Sequence, residues 1–187
     1  MSESEQASRR RVEFFRLAIQ YYAAGRFAAH SSLIPVAGNL LHHAVEMALK
    51  GGLAKSLPEA EIRAFRHGLS ALWTRFVGLA LEPPPPGLDD AINALDRFEG
   101  LRYPERWLGD GAEMTLSFRK DMAVTTEGGT MAPLPRYDLV LEGVDELMQF
   151  LFRASGVNPK FHTQSLREGA REALARDNLH PLEGNAG

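Results

Sequence analysis

No cysteine occurs in the chain, which excludes a disulfide framework, thiolate ligation of zinc or an iron–sulfur cluster, and a cysteine nucleophile. Any metal binding is left to six histidines and the carboxylates. No stretch approaches the roughly eighteen uncharged apolar residues of a membrane span. Met1 to Arg11 is polar and then basic, without the apolar core of a signal sequence. These absences predict a soluble, cytoplasmic protein with no membrane partner. Cationic excess is missing too: 21 Lys and Arg stand against 24 Asp and Glu, a net charge of −3. That balance argues against a general nucleic-acid binder and leaves only local basic patches such as Arg9-Arg10-Arg11.

What is present is a chain of 187 residues, 44% hydrophobic, enough for one core burying ~70% of the extended surface. From Ser8 to about Ala29 the apolar residues follow two helical series, Val12, Phe15, Ile19, Tyr22 and Phe14, Leu17, Tyr21, Ala28. Ser31 or Ser32 is placed to cap a second helix, with Pro35 near its start, running to Lys50 and stopped by Gly51-Gly52. Ser56-Leu57-Pro58-Glu59 has the spacing of a capping box before a short helix ending near His67-Gly68. A further helix carries Leu69, Leu72, Phe76 and Leu79 until Pro83 to Pro86 end it. Leu88 to about Gly100 is again helical. The period then changes: Ala112, Met114, Leu116 and Phe118 alternate with polar residues, a half-buried strand with Met122 to Thr126 as its returning partner. Helical spacing resumes at Leu139 and breaks at Gly156, and a last charge-rich helix spans about Pro159 to Asp177 before a mobile tail. The predicted fold is mainly all-α, an up-and-down helical bundle over residues 1–155 with an inserted β-hairpin at 112–126. Residues 156–187 add a charged helix and tail.

The second helix carries the candidate site. At ~100° per residue, Asn39, His43, Glu46 and Lys50 share an arc of ~60°, which His42 widens to ~100°. The other positions are apolar, so the helix belongs inside the bundle and its polar stripe faces a crevice or a partner. Glu46 and Lys50 also form an ordinary i,i+4 pair that stabilises a helix by ~0.2–0.5 kcal/mol. His42, His43 and Glu46 read poorly as metal ligands, because adjacent histidines diverge by ~100° at Cβ.

Four stretches fall in a recognisable order: Tyr22-Ala23-Ala24-Gly25-Arg26, the run from Asn39 to Lys50, Arg66-His67-Gly68-Leu69 and Leu101-Arg102-Tyr103-Pro104. Over residues 10 to 155 this order resembles the HEPN family, the higher eukaryotes and prokaryotes nucleotide-binding domain. The resemblance implies a helical bundle, a homodimer, and a crevice near Asn39, His43, Glu46 and Lys50 with Arg26, His67 and Arg102 at its edge. Many family members are metal-independent ribonucleases marked by Arg, four to six intervening residues, and then His. Here Arg26–His30, Arg63–His67 and Arg176–His180 have three intervening residues, and no pair has the family spacing. The chain therefore reads as a non-catalytic member of this likeness, without a cofactor, metal or catalytic residue. Its expected partner is a nucleotide-like or small polar ligand, RNA or an accessory protein. The alternatives are a ribonuclease or toxin with a displaced Arg-His site, such as Arg66-His67, and a structural dimer that seals the stripe. Neither a phosphate-binding glycine loop nor a Gly-x-Ser-x-Gly elbow is present.

Overall fold

The computed structural model describes residues 2–109, 111–122 and 134–182. Helix α1 spans Glu3–His30 and α2 spans Ile34–Leu53. They are joined by a three-residue turn in which Ser32 takes a left-handed conformation. The first helix starts earlier than its apolar period, because Ser2 and Glu5 form a reciprocal capping box. No serine caps α2: Leu33 precedes it without a side-chain bond, and Pro35 sits in its first turn as expected.

Gly51 and Gly52 do not stop α2, which runs on to Leu53. They serve close packing instead: a Cβ at Gly52 would lie 2.4 Å from the ring of Phe76. The expected capping box at Ser56 is also absent, since the next helix, α3 (Glu59–Ala64), begins after Pro58 with no side-chain cap.

Helices α4 (Leu69–Val77) and α5 (Leu88–Phe98) flank the polyproline segment. A 3-10 turn at Glu99–Arg102 and the short α6 (Glu105–Leu108) follow. Strand β1 is Glu113–Ser117. Its partner is not the expected returning strand. Met122 lies in a 3-10 turn, and 123–126 lie outside the described residues. β1 pairs instead with β2 (Arg136–Val140), in parallel, from Glu113 opposite Arg136 to Ser117 opposite Val140. A parallel pair needs a long crossover rather than a tight turn. The pairing sets Met114 and Leu116 beside Tyr137 and Leu139, all packed in or against the core. Leu139 and Val140 therefore belong to the strand, and α7 (Leu141–Ala154) starts directly after it.

The expected single C-terminal helix is two, α8 (Lys160–Thr163) and α9 (Glu168–Ala175), separated by an extended Arg167. The break lets Leu166 pack against the core, and His162 of α8 is buried. The expected mobile tail, 183–187, lies outside the described residues.

Packing centres on α2, which touches α1, α4, α5 and α7. Leu41, Val45 and Leu49 meet Phe15, Leu72, Phe98 and Leu147 in one continuous core. The fold is thus mainly α, with one small two-stranded sheet among the described residues. No helix among those residues is long and apolar enough to cross a membrane.

Candidate functional site

Because α2 is apolar around most of its circumference and runs through the middle of the bundle, its polar stripe is enclosed by neighbouring elements. Glu46 is 1% exposed. Its Oε1 accepts from Lys50 Nζ at 2.6 Å, and its Oε2 lies 3.2 Å from Nδ1 of both His43 and His67. Burial pushes the Glu46 carboxyl up. The hydrogen bonds from His43 and Lys50, the Lys50 charge and the His67 bond outweigh burial and hold it at about 2. Glu46 is therefore an anion surrounded by donors.

The proton positions follow from the partners. Arg102 Nη2 lies 2.9 Å from His43 Nε2, and a guanidinium only donates. His43 is accordingly neutral, accepting at Nε2 and donating from Nδ1 to Glu46. His67 donates from Nδ1 to the same carboxylate oxygen. Its side chain is 55% exposed. Lys50 also donates to the Arg66 carbonyl at 2.7 Å. That carbonyl is aimed by the left-handed backbone of Arg66, φ 51°. The Tyr21 ring closes one side of His43, with centroids 5.4 Å apart.

Of the residues expected at the crevice, His43, Glu46, Lys50, His67 and Arg102 come together. Arg102 reaches the cluster because the 3-10 turn ends at the extended Tyr103, forced out of helical geometry by Pro104. His67 is more than a helix-end residue, since its partner is on α2. Asn39 shares the face, but its amide donates to the Pro35 carbonyl at 2.9 Å on its own helix.

Arg26 is elsewhere. It is fully buried, paired with Asp145 and donating to the carbonyls of Ala173 and Arg176. It clasps the C-terminal segment and is no part of the crevice. Glu46, too, differs from a ligand acceptor: both oxygens are engaged, and its role is to hold three donors in place.

Two participants have only a weak signal in the sequence. His42 is 1% exposed, with Nδ1 3.0 Å from the Leu95 carbonyl. Burial lowers its pKa, so the ring stays neutral. The Arg66 carbonyl is invisible to any side-chain pattern. No protein-family model, curated protein or solved structure matches the chain.

Proposed function

We propose that the chain is a HEPN-like, non-catalytic binding or regulatory module whose crevice takes a phosphate-bearing, nucleotide-like ligand. The observation that carries this reading is the Glu46 hub. One buried carboxylate orients Lys50, His43 and His67, and His43 in turn holds Arg102. Lys50 and Arg102 supply the cations of the crevice's rim and the two imidazoles its polar neighbours, with Glu99 3.9 Å from Arg102 as the acidic one. Preorganised cations bind phosphate without the cost of collecting flexible side chains. A homodimer belongs to the same proposal. The exposed apolar side chains Phe27, Leu33 and Val36 around the α1–α2 turn offer a surface for it.

A thermal-shift titration of the metal-free chain with ATP, GMP and inorganic phosphate tests the reading. A ligand that binds only the folded state raises Tm in proportion to the logarithm of its concentration. The shift is expected with at least one phosphate compound, and it should be lost in Arg102→Ala and His67→Ala. No shift with any of them overturns the proposal.

One observation favours a second reading, a metal-independent ribonuclease. His67 is held by a buried carboxylate at Nδ1 while its side chain is half exposed, an arrangement that suits an oriented general base. Labelled RNA incubated in EDTA separates the two. Cleavage lost in His67→Ala replaces the binding module with the enzyme.

A further inference from the structure

We infer that His42, His43 and Glu46 form a site for a divalent transition cation of the zinc type, lying on α2 beneath the cationic rim.

Two independent observations carry the inference. One is proximity: a ligand atom from each of the three residues lies within 4.8 Å of the other two. The divergence of adjacent histidines at Cβ is offset by ring rotation, which leaves the His42 and His43 rings edge-on with centroids 5.5 Å apart. The other is an orphan. His42 Nε2 is buried and has no hydrogen-bond partner. Its Nδ1 faces the Leu95 carbonyl, which only accepts, so the proton sits on Nδ1 and a bare lone pair on Nε2. A buried acceptor left without a donor bears its full desolvation cost. A carbonyl on the far ring nitrogen is also what fixes the tautomer and orientation of metal-bound histidines.

Two neutral imidazoles and a carboxylate suit zinc and its transition-metal neighbours better than magnesium or calcium. His67 is the natural fourth ligand. Its Nδ1, like that of His43, lies 3.2 Å from Glu46 Oε2. Ligand atoms around a tetrahedral zinc with bonds of 2.0–2.1 Å are separated by about 3.3 Å.

Two cations oppose the ion, and each gives the proposal a signature. Lys50 competes for Glu46 through Oε1, so its removal should tighten metal binding. Arg102 occupies His43 Nε2. A cation at His43 Nδ1 moves the imidazole proton to Nε2, with no net proton released, and a protonated Nε2 repels the guanidinium. Metal binding therefore frees Arg102 to turn outward.

The test uses the full chain, stripped with EDTA, and metal alone as probe. Cobalt(II) titration is expected to give the visible absorption of a tetrahedral site at one ion per chain, displaced by zinc. His42→Gln should weaken binding by more than about tenfold, Lys50→Met should strengthen it, and His180→Gln should leave it unchanged. Histidine nitrogen NMR on the unaltered chain removes dependence on folding of the variants. Zinc should shift the Nε2 of His42 while its Nδ1–H persists. No cobalt spectrum, equal affinity in His42→Gln, or zinc shifts that spare His42 each overturn the inference. The phosphate titration runs in EDTA and the metal titration without phosphate, so failure of one does not imply failure of the other.

Discussion

At the scale of single residues, Glu46 ties the crevice to stability. Unfolded, its carboxyl titrates near 4.5, and folded at about 2. A depressed carboxyl pKa adds stability that is complete above the unfolded value and is lost as pH falls from about 5 toward 2. The shift corresponds to something on the order of 3 kcal/mol. Glu46→Gln should therefore lower stability at pH 7 by about 2–3 kcal/mol. Urea denaturation at pH 7, 5 and 3 checks this, because the gap between the two proteins should narrow as pH falls. The Glu46–Lys50 pair is legible in the sequence because both residues belong to one helix with a known period. The bond from His67 and the Leu95 carbonyl on His42 are not, since those partners stand 21 and 53 residues away. Arg26 misleads for a related reason. A local motif cannot tell a rim cation from one buried against Asp145, 119 residues on.

At the scale of elements, α2 owes its central place to small residues as much as to large ones. A Cβ at Gly38 would lie 2.1 Å from Cδ1 of Phe98. Alanine there gains up to ~1 kcal/mol in helix propensity yet forces a fully buried ring to move, an overpacking cost of about 1–3 kcal/mol. Gly38→Ala is expected to lower the melting temperature. Gly169→Ala in α9, where nothing lies within 4 Å of the added carbon, should be neutral or slightly stabilising. Calorimetry of both variants distinguishes packing from propensity. The longer helices are legible because each has a 3.6-residue apolar period, whereas the four-residue α6 and the break between α8 and α9 leave no such signal. Their ends are read less well where glycine acts as a spacer rather than a terminator. The strand is legible from its alternation, but alternation carries no information about direction or partner, and so a parallel crossover looks like a hairpin.

At the scale of the whole molecule, the first helix and the segment around α9 are bound by one buried guanidinium. Arg26 on α1 meets Asp145 on α7 and the carbonyls of Ala173 and Arg176 around α9, and Tyr22 donates to the same Asp145 at 2.6 Å. Breaking a buried ion pair from one side costs about 3–5 kcal/mol, because the remaining charge stays desolvated. Arg26→Met should therefore destabilise the fold strongly. Limited proteolysis should cut between 164 and 182 far faster than in the unaltered chain, since α9 loses its anchor. The same clasp has a kinetic consequence. The bond from Arg26 to Arg176 spans 150 residues. While the polypeptide is being made, the α1–α2 hairpin is complete long before the carbonyls that satisfy its arginine have left the ribosome. Contacts of such long range form late, after the loop-closure entropy has been overcome. The nascent chain therefore carries an unpaired Arg26 until Asp145 has emerged, and the guanidinium gains its last acceptor only with Arg176.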